Sequence, residues 1–261
     1  MDSLRVVYTI WYRETRRFLR ERSRIAGMVM QPLLYLLLVG NGIASAMTFR
    51  GAPAGAGVGY ITFMYPGIIG MSVLFTSVFS AVSIIWDREF GFLREVLVAP
   101  APRWAVALGK VLGIATVSTT QAAILLALAP LAHVPLTIGS VAALLLTCAL
   151  IAVALGSLGI AIASRMESME GFQMIMNFLV MPMFFLSGAM FPLRGVPDWL
   201  GALMRVNPLT YGVDALRGIL LGATPAAPFL VQFALGLDLA VVAALALVLL
   251  VMGSWAFSRQ G

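Results

Sequence analysis

DREFGFLREVLVAPAPRWAVALGK, residues 87–110, is a long polar interruption between two apolar runs that are each long enough to cross a bilayer. Seven charged residues (Asp87, Arg88, Glu89, Arg94, Glu95, Arg103 and Lys110) sit there among Phe90, Phe92, Leu93, Val96 and Leu97. The pattern predicts a short amphipathic helix ended by Pro100 and Pro102, because proline lacks the N–H that a helix interior needs. Phe90, Leu93 and Leu97 share one stripe at three- and four-residue spacing, while Glu89 and Glu95 point elsewhere. Phe92 falls off that stripe, and Gly91 weakens the helix but lets another surface come close. Two phenylalanines and a glycine suit a docking element. The alternative, a passive interfacial loop, would need none of them.

Composition sets the class. Of 261 residues, 61% are hydrophobic and only 11% charged, with a mean hydropathy of +0.99, which excludes an ordinary soluble domain. The length suits one compact membrane bundle without a second domain of ordinary size. The net charge of +6 does not point to nucleic acid, because the basic residues cluster at the ends of apolar runs, where they orient a membrane protein. The single cysteine, Cys148, lies inside an apolar run and has no intrachain partner for a disulfide.

Residues 1–24 hold seven arginines against Asp2, Glu14 and Glu21. Leu4, Val7, Tyr8, Trp11, Phe18 and Leu19 follow helical spacing, which predicts a basic helix lying in the membrane interface and touching anionic lipid. Ala44-Ser45-Ala46 resembles a signal cleavage site. However, the preceding charged region is too long and too acidic for a secretory signal, and the apolar run outlasts one. Six runs near or above the roughly 20 residues of a spanning helix follow, at about 25–47, 61–86, 104–128, 138–163, 172–191 and 233–257. GAPAGAG joins the first two, and PLAHVP, which contains the only histidine, His133, makes a tight turn between the third and fourth.

Thirteen of the seventeen Lys and Arg residues fall on the side holding the N-terminus, residues 87–110, Arg165 and Arg259. Arg50, Arg194, Arg205 and Arg217 fall on the other. The positive-inside rule therefore puts both termini and the central stretch in the cytoplasm. Outside, Val196-Pro197-Asp198-Trp199 starts one short helix, and Asn207-Pro208 starts another with an N-cap and a preset first residue. The second carries Leu209, Val213, Leu216 and Leu220 on one face and ends at Gly222. Neither is long enough to span. Two readings stand: a folded external cap, or a pair of helices dipping back into the outer leaflet with protein covering their ends.

Several chemistries are missing. Gly109-Lys110 is followed by Val111 and has Trp104 where a phosphate-binding loop needs glycine, so this chain does not hydrolyse nucleotide by that means. No His/Cys cluster suggests a metal, and no nucleophile–histidine–acid set suggests hydrolysis. The only charge clearly at depth inside the predicted spans is Asp238, near the outer end of the last. The intramembrane amides Gln31, Asn41, Gln121, Gln173 and Asn177 read as interhelical glue.

Residues 88–110 (REFGFLREVLVAPAPRWAVALGK) followed by residues 207–222 (NPLTYGVDALRGILLG) resemble the paired signatures of type-2 ABC exporter permeases. The similarity is strongest to daunorubicin-resistance-like membrane subunits. These subunits serve bacterial drug, lipid and polysaccharide export, and the likeness covers essentially the whole chain. It implies an all-α membrane protein in the bacterial inner membrane. Its parts would be an interfacial helix (1–24) and a six-span domain (25–261) with a coupling segment at 87–103 and external helices within 196–222. It also implies a homodimer working with two separately encoded ATP-binding cassette subunits, which carry the ATP and Mg²⁺; no cofactor is expected in this chain. Asp87, Arg88, Glu89, Phe90, Gly91, Phe92, Leu93, Arg94, Glu95, Val96, Leu97 and Pro100 would form the coupling helix. Asn207, Pro208, Tyr211, Asp214 and Arg217 would belong to the exit gate. Spans one, two and five would line the path, with Phe63, Tyr65, Phe75, Phe79, Phe178, Phe184 and Phe185 as an aromatic wall. For any single one of those, helix packing or lipid contact is the simpler account. No covalent chemistry is expected. An ion-coupled carrier or channel without an ATPase partner is the alternative, and it would transport without ATP. An intramembrane transferase or hydrolase would instead need a catalytic acid or histidine facing a cavity.

Overall fold

A computed structural model of the chain describes residues 3–40, 42, 59–89, 102–132, 134, 136–225 and 227–259. Its elements are helical, with no strand among the described residues. Helix α1 (Ser3–Arg20) is followed after Glu21 by α2 (Arg22–Leu34), which widens into a π-helical turn at Tyr35–Gly40. Pro32 lies three residues before that turn. A proline removes one i→i−4 donor and crowds the preceding carbonyl, the kind of local disruption that favours a π-bulge or kink.

Helices α3 (Tyr60–Ser80) and α4 (Ser83–Glu89) form one continuous apolar rod, broken only by the turn at Ala81 and Val82. Next come α5 (Arg103–Leu126), a 3₁₀ turn at Ala129–Ala132 and α6 (Ile138–Ala163), which Thr137 opens with a reciprocal capping box to Ser140. Helix α7 (Met169–Phe185) is capped by Ser168. The chain ends with α8 (Asp198–Val206), α9 (Pro208–Leu221), α10 (Ala227–Leu230) and α11 (Leu235–Ser258).

Among the described residues, four helices are long and apolar enough to cross a membrane: Tyr60–Glu89, Arg103–Leu126, Ile138–Ala163 and Ala227–Ser258. Two of the six expected runs correspond to shorter apolar helices, Ala26–Gly40 and Met169–Phe185. The 17 residues of α7 extend about 25 Å, somewhat less than the ~30 Å of a hydrocarbon core.

The core lies where α3, α5, α6 and α11 pack together, with Ile69, Val73, Leu74, Leu144 and Phe257 fully enclosed. Helix α3 is buried on nearly every face, whereas α2 and α7 lie at the periphery and expose Leu34, Leu37, Leu38, Met174, Phe178 and Phe185. The sequence puts Leu4, Val7, Tyr8, Trp11, Phe18 and Leu19 on one apolar stripe, but the fold divides them. Val6, Val7, Ile10 and Phe18 are buried, with α1 packed along α5, while Leu4, Tyr8 and Leu19 stay exposed. Gly109 allows that contact: a Cβ there would lie 2.8 Å from the Ile10 Cβ and 2.9 Å from the Val7 carbonyl.

Candidate functional site

The segment expected to dock a partner has two flanks, and both enter one buried cluster of charge. Asp87, where the stretch begins, lies on α4, and Lys110 lies two turns into α5. Lys110 Nζ stands 2.6 Å from Asp87 Oδ2, 3.1 Å from Glu14 Oε1 and 3.3 Å from Ser83 Oγ. Arg13 Nη2 on α1 reaches the same Asp87 oxygen at 2.6 Å and Glu14 Oε1 at 2.8 Å. Among the described residues two cations thus answer two anions, and the Lys110 side chain keeps only 2% of its exposure. Burial alone would push the Glu14 carboxyl up, but Lys110 and Arg13 outweigh it and hold that carboxyl down to about 2.

Other contacts extend the cluster. Arg88 donates to the Ser164 and Met166 carbonyls, tying α4 to the turn between α6 and α7. The Trp86 indole N–H points at the Met169 sulfur, and the Arg17 guanidinium lies 4.7 Å over the Trp86 ring. The Trp11 indole donates to Thr116 on α5, and Arg103 donates to the Ser258 carbonyl at the end of α11. Glu89 is exposed. Phe90, Gly91, Phe92, Leu93, Arg94, Glu95, Val96, Leu97 and Pro100 lie outside the described residues, as do Asn41, the GAPAGAG connector and His133.

The second group of expected residues gathers at the opposite end of the bundle. Asn207 caps α9 through Oδ1, which accepts from Leu209 N–H, and its Nδ2 donates to the Met183 carbonyl of α7. Pro208 occupies the first helical position. Tyr211 donates its hydroxyl to the Arg205 carbonyl and stacks on Phe233. Helix α9 does not rest on top of the bundle: it packs against α3, α6 and α11, burying Leu209, Val213, Leu216 and Leu220. Its two charges go inward too. Asp214 accepts from the N–H groups of Gln232 and Phe233, and Arg217, 1% exposed, donates to the Gly188 carbonyl with its guanidinium 4.2 Å over the Phe63 ring. Gly188 sits at φ +74°, a left-handed turn that presents that carbonyl inward at little cost only for glycine.

A cavity of about 360 Å³ opens between α2, α3 and α5, lined by Gln31, Pro32, Met71, Phe75, Phe79 and Gln121 among others. Phe75 and Phe79 stack at 6.0 Å along its wall. Gln121 crosses between helices, giving its amide to the Met28 carbonyl and accepting from Thr76. The remaining aromatics of the expected wall scatter. Phe63 and Tyr65 are enclosed, with the Tyr65 hydroxyl on the Leu125 carbonyl, and Phe184 packs edge-on to Tyr35. Phe185 is exposed, and Phe178, at 83% exposure, faces outward with Gln173 and Asn177.

Two observations go beyond the sequence reading. Lys110, Asp214 and Arg217 are buried as thoroughly as Asp238. Glu14 and Arg13 belong with the docking segment, though they lie 73 and 74 residues before Asp87. One signal pointed there: Lys110 falls well inside an apolar run, where an amine needs a partner acid.

Comparison with known proteins bears on both groups at once. Residues 5–221 match the model of the family described as ABC-2 type transporter. The chain is 28% identical over 194 residues to a putative transport permease, ycf38, of Cyanophora paradoxa, covering 72% of this chain and 65% of that protein. It is 29% identical over 163 residues to the probable multidrug ABC transporter permease YbhR of Escherichia coli, covering 62% of this chain and 44% of YbhR. The inner membrane transport permease YadH of Escherichia coli is 27% identical over 216 residues, 82% of each chain. The match thus spans less than two thirds of the length of the first two relatives. The family match covers both flanks of the docking segment and all of α9. With its long apolar helices, this chain is an integral membrane protein that belongs to the ABC-2 type transporter family.

Proposed function

We propose that the chain is the membrane-spanning permease subunit of an ATP-driven ABC exporter in the bacterial inner membrane. Its cargo is hydrophobic or amphiphilic (a drug, a lipid or a lipid-linked glycan), moved out of the cytoplasm or the inner leaflet. Two copies pair and engage two ATP-binding cassette subunits, which hold the ATP and Mg²⁺ and do the hydrolysis; this chain performs no covalent chemistry. Six spans are counted by adding α2 with its π turn and α7 to the four long helices, and both termini face the cytoplasm. The exposed apolar faces of α2 and α7 are the surfaces available to the second copy and to lipid.

The observation that carries this reading is the cluster of Arg13, Glu14, Asp87 and Lys110. It joins the two flanks of residues 87–110 to each other and to α1. When the ATPase subunits close on ATP, force on a docked segment reaches α4 and α5 together, because Asp87 and Lys110 are bonded across its base. The α3–α4 rod passes it to the cavity wall at Phe75 and Phe79. Among the described residues that cavity combines apolar walls with neutral amides and no lining charge, a chemistry that suits an amphiphile with an uncharged hydrogen-bonding group. Helix α9, wedged among three spans at the other end, forms part of the exit gate.

The test puts a carboxylate on the docking face. Phe92→Asp and Leu93→Asp should each abolish transport and stimulation of the partner ATPase while the permease stays folded, since an unpaired buried carboxylate costs several kcal/mol. Normal ATP-driven transport by both variants would refute the docking role. Thiol labelling in a Cys148→Ser background checks the orientation. Asp198→Cys should react in intact cells and Glu167→Cys only after permeabilisation.

A further inference from the structure

Asp238, an acid that the coupling scheme does not use, sits in the first turn of α11 and is fully buried at 0% exposure. Neither of its carboxyl oxygens accepts a hydrogen bond. What faces it is another acceptor, the carboxyl of Asp214 on α9. Asp214 is well satisfied as a carboxylate: Gln232 N–H lies 2.9 Å and Phe233 N–H 2.8 Å from its Oδ2, and Arg217 Nη1 lies 3.9 Å from its Oδ1. Arg217 spends Nη2 on the Gly188 carbonyl and its face on Phe63. The first turn of α11 offers a favourable partial charge, but none of its N–H groups donates to Asp238.

Among the described residues, the elements around this pair supply no buried compensating charge beyond Arg217; the Asp198 and Arg205 side chains of α8 are exposed. Helices α3, α6 and α10 carry no Asp, Glu, Lys, Arg or His, and Asp238 is the one charge on α11 itself. The charges on α5, Arg103 and Lys110, are committed at the other end of the bundle. The Tyr60 and Tyr65 hydroxyls of α3 donate to the Met190 and Leu125 carbonyls. Fully ionised, the joint would therefore bury two negative charges against one positive, with two acceptors face to face. Two adjacent buried carboxyls avoid that by keeping one proton. A single proton makes the site neutral and turns one acceptor into the donor that the contact lacks.

We propose that Asp214 and Asp238 hold one proton between them, making the joint of α9 with α11 a proton-binding site. Deprotonation sets like charges against each other across that joint. Two idle donors stand ready for the freed carboxylate: Arg217 Nε and Gln232 Nε2 are both buried without an acceptor. Recruiting Arg217 pulls on the side chain that holds the Gly188 turn, so the state of the proton is felt where α9 meets the loop after α7.

Infrared spectroscopy of the purified chain in lipid nanodiscs tests this without cargo or ATPase, so failure here leaves the export reading untouched. At neutral pH the wild type should show a protonated carboxyl stretch that shifts in deuterated buffer and fades as the pH is raised. The band should be absent from Asp238→Asn. It should also be absent from Asp214→Asn, where the amide supplies a donor and removes the like charge, leaving Asp238 ionised against that amide. A wild-type spectrum without that band overturns the proposal, and this result requires no variant to fold. A band that survives Asp238→Asn belongs to another acid and overturns it too. A band that survives Asp214→Asn shows Asp238 protonated by burial alone, which overturns the sharing.

Discussion

The two ends of the bundle both bury charge, and they balance it differently. At one end Arg13 and Lys110 meet Glu14 and Asp87 in equal number, with short bonds across three helices. At the other, Asp214 has Arg217 3.9 Å away, while Asp238 faces Asp214 and accepts no hydrogen bond at all. The difference teaches what each end is suited to do. A balanced, mutually bonded set is suited to holding its helices together as a unit. An unbalanced set has two nearby states that differ by one proton, and it can respond. Breaking a buried pair costs far more than the pair contributes against an apolar replacement, because the orphaned charge stays behind. That asymmetry makes the comparison measurable.

The largest effect should come from Lys110→Met, which strips the balanced end of the cation shared by two acids. It should destabilise the detergent-purified chain by about 3–5 kcal/mol, read from its thermal unfolding, and Asp87→Asn added to it should recover part of the loss. A cost near zero would mean that this end is no more firmly fastened than the other.

A pH titration sharpens the contrast through its sign. Glu14 is held at about 2 against an ordinary value of 4.5, so its contribution is complete above pH 4.5 and is lost as the pH falls through about 2. The shift corresponds to a contribution on the order of 3 kcal/mol. Glu14→Gln should remove that acid-side dependence. The joint of α9 with α11, where like charges meet once the proposed proton leaves, should instead lose stability on the basic side. Acid loosens one end and base the other; two curves of the same sign would break the comparison.

The smallest effect concerns the cap of α9 at the unbalanced end. Asn207→Ala removes the cap of α9 and its bond to the Met183 carbonyl, and should cost roughly 1 kcal/mol. If α9 is part of the exit gate, transport in reconstituted membranes should nevertheless fall sharply in Asn207→Ala and Tyr211→Ala while ATP hydrolysis continues. Both activities at wild-type levels, or both falling with protein amount, would leave α9 as a folded cap.

Much of the fold is legible from the residues in order. Helix type and approximate extent follow from apolar run length, and the start of α9 follows from Asn207-Pro208, because capping is chemistry between residues two or three apart. The basic N-terminal helix is equally local, although which of its apolar residues turn inward is not. Val7 and Phe18 are covered by α5, whereas Tyr8 and Leu19 on the same helix are not. The aromatic wall was the least legible part. Phe75 and Phe79 share a cavity, but Phe63 became the seat for an arginine and Phe178 an exposed face, and an aromatic side chain alone does not distinguish these fates.

By itself the sequence determined that this chain is a bundle of membrane helices with a charged segment between two of them and a capped amphipathic helix near its end. Hydropathy, spacing and capping are properties of neighbours, and neighbours are what a sequence records. Only the tertiary structure decided which charges are buried and with whom. Glu14 lies 96 residues from Lys110, Arg13 lies 74 from Asp87, and Asp238 meets Asp214 across two different helices. The free energy of a buried charge depends on its partner rather than on its own position. In the sequence alone, Arg217 and Asp214 are two charges on a short external helix, with nothing to say that both turn inward.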